Sequence, residues 1–270
     1  MSSLLGRLGP RQRKGSKPRC HWITHGPANE VAARLTKLAA PWATVTTDDR
    51  WMPDGFVQTD EAELHKAGRL IPDDDVRSRL GDWWFAVRRG QQKAPSFDIA
   101  STCTVAGRYG LLLVEAKAHD RELRKEEVGK PLRPPITPNG CRNHARIGAC
   151  MAEASLALAG ETGVPWGLSR DWNYQMSNRF AWSWKLAELG FPVVLVYLGL
   201  LHAAEMRKGR NQIPLADHTH WKSLVMQHCR LICPADAWGK VYSIHGQRFV
   251  SLIRSVEIPY DLPCGCFEAT

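Results

Sequence analysis

The sequence predicts a mixed α/β fold, a central sheet flanked by helices, from three observations. Two runs rich in β-branched and aliphatic residues, Phe97 to Val105 and Leu111 to His119, are joined by Ala106-Gly107-Arg108-Tyr109-Gly110. The glycines of that linker supply a turn, so the pair reads as a hairpin. A helical pattern from Trp172 to Leu189 ends at Gly190, and Pro192 opens the apolar run Val193-Val194-Leu195-Val196-Tyr197-Leu198, a crossover from a helix into a buried strand. The 270 residues, 44% hydrophobic and 23% charged, have the length and composition of a chain with one main core.

Taken in order, Arg7, Arg11, Arg13, Lys14, Lys17 and Arg19 all precede the first acidic residue, Glu30, and carry most of the formal charge of +9. Residues 1–26 are therefore predicted to be a flexible basic arm, fitted either to neutralise phosphates or simply to solubilise the terminus. Pro27 to Leu38 reads as a helix, with Val31, Leu35 and Leu38 at helical spacing. Asp60 to Ala67 and Asp74 to Arg89 are further helical candidates, the second carrying Leu80, Trp83, Trp84 and Val87 on one broad face. The hairpin follows, then a charged and Pro/Gly-rich loop from Arg121 to Gly140 that starts with a short helix, then an Ala-rich helix from Asn143 to Ala159. Beyond Leu201 come an amphipathic segment at Trp221 to His228 and a strand at Arg248 to Ile253. The expected division is arm 1–26, core domain 27–200 and an extension 201–270 packed on that core.

Several function classes lack their residues. There is no Gly-x4-Gly-Lys-Ser/Thr phosphate loop and no His-Glu-x-x-His pair. His218, His220, His228, Cys229, Cys233, Cys264 and Cys266 match no paired Cys-x2-Cys zinc spacing. The most apolar run, Phe191 to Leu201, is too short to cross a bilayer as a helix, and the start lacks a signal-peptide apolar region. The expectation is a cytoplasmic protein with no membrane association, whose eight cysteines are reduced thiols.

Side chains alternate across a strand, so Glu115 and Lys117 share one face while Leu112, Val114, Ala116 and Ala118 occupy the other. Asp98 begins the antiparallel partner, close to the end of the second strand where that pair lies. Two carboxylates and an amine thus converge. Hard oxygen ligands suit Mg2+ or Mn2+, held by Asp98 and Glu115. Lys117 is placed to orient a water or to stabilise charge developing on a phosphate.

Asp98, the hairpin and Glu115-Ala116-Lys117 resemble the PD-(D/E)XK nucleases, whose restriction-endonuclease-like core runs α-β-β-β-α-β. The resemblance spans about residues 60–200. It departs from the usual pattern at Phe97, where many members have Pro, with Pro95 two positions earlier, and the first core strand before Asp98 is not placed. The resemblance implies metal binding by Asp98 and Glu115, catalysis by Lys117 and phosphodiester hydrolysis, DNA being the favoured nucleic acid. It further implies a polar helix residue, best matched by Gln175 with Asn143 and His144 as second candidates, and an added acid from Glu63, Asp82 or Glu30. The bland readings are a helix cap for Asn143, a structural role for His144, and core packing for Trp182 and Trp184, of which at most one should face the sheet. The alternative function is a non-catalytic nucleic-acid-binding protein of the same fold. The pattern is indifferent to strandedness and to endo or exo attack.

Overall fold

A computed structural model describes residues 4–88, 93–209, 212–258 and 268–269. Helices α1 (Ser16–Ile23) and α2 (Ala28–Ala39) precede β1 (Trp51–Met52) and α3 (Asp74–Trp84). The hairpin β2 (Ile99–Val105) and β3 (Arg108–Lys117) is followed by α4 (Asp120–Arg124), α5 (Pro138–Thr162), α6 (Tyr174–Glu188) and β4 (Val193–Leu201). The chain closes with α7 (His218–His228), β5 (Val241–Ile244), β6 (Gln247–Glu257) and β7 (Glu268–Ala269). No helix among the described residues is long and apolar enough to cross a membrane.

The sheet runs β1-β2-β3-β4-β6-β5, with β7 on the end of β6. Its β3/β4 and β4/β6 contacts are parallel and its remaining contacts antiparallel. The hairpin turn is tighter than its glycines suggest. Val105 pairs with Arg108, and Ala106 and Gly107 both take positive φ, 49° and 78°, as a two-residue turn between twisted strands requires.

Strand alternation divides the core in two. Leu112, Val114 and Ala116 of β3, with Val194, Val196 and Leu198 of β4, pack against Cys20, Ile23, Val31 and Leu35 of α1 and α2. Leu111, Leu113, Leu195, Tyr197, Phe249 and Ile253 face α3, α5, α6 and α7. Trp84, Trp182 and Trp221 are fully buried in that second layer. Trp182 and Trp184 are both buried although two apart, because α6 is covered on several sides at once, with Trp83 reaching both rings.

Five expectations are corrected. Residues 1–26 are not wholly a flexible arm: Ser16–Ile23 is helical, Leu8, Cys20 and Ile23 are buried, and Arg19 is sealed between the carbonyl of Ile258 (3.0 Å) and Glu205 (2.5 Å). A few apolar positions there outweigh the basic composition. Asp60 to Ala67 forms turns rather than a helix, held by a bridge between Ala62 and Phe97. The segment 201–270 is no appendage, because β6 lies inside the sheet beside β4. Helix α5 begins at Pro138, five residues before the expected start, because the Thr137 hydroxyl caps it by accepting from Gly140 N at 3.0 Å. Helix α3 ends at Trp84, short of the expected Arg89, because Phe85 takes extended backbone (φ −107°, ψ 128°) and residues 85–88, Val87 among them, are not helical; Cys264 and Cys266 lie outside the described residues.

Candidate active site

Glu115 and Lys117 project from β3 into the layer that holds α6, where their parallel partners on β4 are Tyr197 and Gly199. Only glycine fits at 199: an added Cβ would sit 2.5 Å from Trp221 Cγ. The indole of α7 therefore closes over the strand, donating from Nε1 to the Tyr197 carbonyl at 3.2 Å. From α6, Gln175 and Arg179 lie four residues apart on one face and both reach β3.

Glu115 is the hub. Its Oε1 lies 2.5 Å from Lys117 Nζ and accepts from Gln175 Nε2 at 2.6 Å. Its Oε2 receives Arg179 Nε at 2.7 Å and Nη2 at 2.6 Å. Lys117 Nζ also donates to Gln175 Oε1 at 3.0 Å and lies 2.8 Å from Glu126 Oε1. Arg179 is fixed in turn by Ser96 O (2.7 Å) and Asn178 Oδ1 (2.6 Å). Glu115, Lys117 and Arg179 are only 1%, 4% and 4% exposed, so these charges meet with little screening.

Burial alone would lower the Lys117 pKa, but Glu115 and Glu126, with Glu122 and Asp98 behind them, drive it above the usual lysine range. It is an ammonium, not a base. Asp98, half-buried, accepts from Ala116 N at 2.8 Å, yet burial and the charge of Glu115 push its carboxyl well above the ordinary carboxylate value. Burial works against ionised Glu126 too, but Lys117 and His228 hold it below its ordinary value; His228 Nε2 lies 3.4 Å away.

Asp98, Glu115, Lys117 and Gln175 are therefore brought to one centre. The proposed extra acids are not: Glu63 pairs with Lys66 (2.8 Å), Asp82 with Arg88 (2.7 Å) and Glu30 faces Arg34 (3.7 Å), away from it. The acid beside Asp98 is Glu61, placed by the antiparallel Ala62–Phe97 bridge and held by Ser96 Oγ (2.7 Å) and Lys17 (2.8 Å). Its charge adds to the upward push on Asp98. Asn143 is buried on Val87, accepting from its N at 2.7 Å and donating to its O at 2.9 Å, and so ties α5 to the segment after α3. His144 Nε2 sits 2.7 Å from the Lys130 carbonyl. Neither reaches the centre.

Sequence reasoning missed Arg179, Glu126 and Glu61. Arg179 had a legible signal, since it follows Gln175 by four on the same helix. Glu126 and Glu61 lie in irregular segments whose placement depends on tertiary pairing.

As a metal centre, the donors are hard carboxylate oxygens of the kind that hold Mg2+ with several retained waters. A cation between Asp98 and Glu115 would relieve the repulsion that raises the Asp98 pKa. Among the described residues, no group of three or more His, Cys, Asp or Glu has the geometry to hold a metal ion. The centre lies beside a cleft of about 410 Å3 whose lining includes Lys93, Ser96, Glu126, Tyr174, Gln175 and Arg179.

Comparison with protein-family models, with curated proteins and with solved structures finds no match to the chain.

Proposed function

We propose that the protein is a PD-(D/E)XK-type nuclease that hydrolyses phosphodiester bonds in nucleic acid, DNA in preference, with Mg2+ or Mn2+. The observation that carries this reading is the convergence of Lys117, Gln175 and Arg179 on Glu115, next to a carboxyl, Asp98, whose charge is costly where it stands. Burial and a charged neighbour shift a carboxyl in this way at functional sites, and structural ion-pair networks shift carboxyls too, so cutting is the test that separates the two. The observed order α2-β1-α3-β2-β3-α4-α5-α6-β4, with β3 parallel to β4, supports a restriction-endonuclease-like core when the short β1 is taken as its first strand and α3, α4 and α5 as additions to the α-β-β-β-α-β succession.

Asp98 and Glu115 would hold the cation, which when bound supplies Lewis acidity and a more acidic water. Arg179 and Gln175 fix the Glu115 carboxylate in one orientation before substrate arrives, which removes reorganisation from the reaction. Lys117, kept charged by Glu115 and Glu126, stabilises negative charge developing on the phosphoryl oxygens. Glu126 acts through it as a positioning residue.

A second reading has its own observation: both Glu115 oxygens are already engaged by Lys117, Gln175 and Arg179, as they would be in a non-catalytic nucleic-acid-binding protein. The two separate on incubation with plasmid, linear and single-stranded DNA and with RNA in Mg2+, Mn2+ or EDTA. Cutting in metal but not in EDTA, lost in Asp98→Ala, is the expected outcome. Binding without cutting, unchanged in Asp98→Ala, would favour the second reading.

A further inference from the structure

A second cleft, of about 820 Å3, shares Lys93, Gly129, Lys130 and Tyr174 with the one beside the centre, so the two form one continuous trough. Lys93, Lys125, Lys130 and Arg133 line it. No carboxylate forms an ion pair with any of these four among the described residues. The one acid in the lining, Glu126, is already taken by Lys117. Burial and the neighbouring Arg133 press the Lys130 amine below its ordinary pKa, the mark of cations gathered without a counter-charge.

The wall carrying these cations is preformed. Gly129, at φ 74°, passes so close to Asp171 that a Cβ there would fall 2.2 Å from its carbonyl oxygen. Lys130 N donates to Arg170 O at 2.8 Å, and Lys130 O is held by His144 Nε2 at 2.7 Å. Arg170 Nη1 closes the ring on His144 O at 3.0 Å. At the junction of the two clefts stands Tyr174, whose ring lies 4.8 Å from Lys130 Nζ. Cations that track a backbone, with an aromatic ring between them, are the common equipment of single-strand grooves.

We infer that this trough binds single-stranded nucleic acid and delivers one of its phosphodiesters to the Asp98/Glu115/Lys117 centre. The inference rests on the nuclease reading for the delivery step, not for the binding. Recess is what selects the strand. Glu115 and Lys117 are 1% and 4% exposed, and the cleft beside them is walled by the Lys93–Ser96 segment and by Tyr174 to Arg179. A duplex is stiff and carries its phosphates on a convex face, so it meets the rim of such a cleft and not its floor. A single strand can splay its nucleotides and thread. Lys130 and Arg133 would then hold phosphates flanking the one that reacts.

The test uses a fluorescent single-stranded 20-mer and the duplex of the same sequence, with binding followed by anisotropy in EDTA and cutting followed in Mg2+. The proteins are wild type, Lys130→Glu/Arg133→Glu and the milder Lys130→Gln/Arg133→Gln, each checked for an unchanged melting temperature. Single-strand binding at least tenfold tighter than duplex binding is expected, as is a loss of at least tenfold in the charge-reversed variant. The slope of log K against log salt should flatten by about 1.4 in the neutralised variant, since each phosphate contact on a single strand contributes roughly 0.7. Duplex bound as tightly as single strand, single strand bound normally by both variants, or no binding at all would overturn the trough. Strand-selective binding with no cutting in any metal would remove the nuclease reading and leave the trough standing. Equal cutting and binding of both substrates would do the reverse.

Discussion

Replacing Arg179 by Met tests whether the centre is a tightly coupled buried charge network. The guanidinium gives Glu115 Oε2 two contacts, at 2.7 and 2.6 Å, and satisfies Ser96 O and Asn178 Oδ1 as well. Methionine fills similar space but leaves Glu115, 1% exposed, with the Lys117 ammonium as its sole close cation and one hydrogen bond from Gln175. Breaking a buried pair by removing one partner costs about 3–5 kcal/mol, and the near-complete burial of both groups makes solvent screening a small correction. Against a typical total of roughly 5–15 kcal/mol, the variant should still fold at 25 °C. Its melting temperature should fall by roughly 10 °C, at about 2–4 °C per kcal/mol for a chain of this size. Urea unfolding followed by tryptophan fluorescence measures the loss, since Trp84, Trp182 and Trp221 are fully buried probes. The cycle closed with Glu115→Gln and the double variant should show a coupling of about 2 kcal/mol or more, because the neutral amide no longer needs the cation. A loss below about 1 kcal/mol, or single effects that add to within ~0.5 kcal/mol, would refute the network.

Other perturbations probe separate parts of the structure. The folded Asp98 carboxyl binds its proton more tightly than an ordinary carboxylate, so its contribution to stability falls as pH rises through the ordinary carboxylate range towards the folded value. In EDTA, Asp98→Asn should therefore melt higher than wild type at neutral pH and converge with it in acid; parallel melting curves across pH would contradict this. Arg19→Ala, which abandons Glu205 and the Ile258 carbonyl, should cost about 2 kcal/mol, discounted for the partly exposed Glu205, and should speed proteolysis of residues 1–26. Gly199→Ala should cost about 1–3 kcal/mol by overpacking against Trp221 and shift the tryptophan emission; a silent substitution would mean that the strand and α7 are looser than described.

The legible parts of the sequence were those governed by local periodicity. The hairpin, the shared face of Glu115 and Lys117, and the crossover from α6 to β4 follow from alternation, a glycine stop and an apolar run; the elements form as expected, although the hairpin turn takes two residues where five were expected, so that Arg108, Tyr109 and Gly110 join β3. What escaped depends on distant partners. Two-residue β1 has too few side chains to show a pattern, and it exists because Trp51 and Met52 find Ser101 and Ala100. The entry of β6 beside β4 is a choice of strand order that no local pattern encodes. Glu61 and Glu63 both fall in the segment expected to be helical, and it is the Ala62–Phe97 bridge, a tertiary pairing, that puts Glu61 next to Asp98. The basic N-terminal segment misled in the opposite direction, since its charges are conspicuous and its buried apolar residues, Leu8, Pro18, Cys20 and Ile23 among those described, are sparse.

The most direct test of the central claim is single-turnover cutting of single-stranded and plasmid DNA by excess protein in Mg2+ or Mn2+, comparing wild type with Lys117→Met and an EDTA control. The expected result is cutting that requires the cation and slows by about 100-fold or more in the variant, the scale on which a preorganised charge-stabilising donor acts. Folded wild-type protein that binds these substrates and cuts none of them, or a Lys117→Met variant that cuts as fast as wild type, would contradict it.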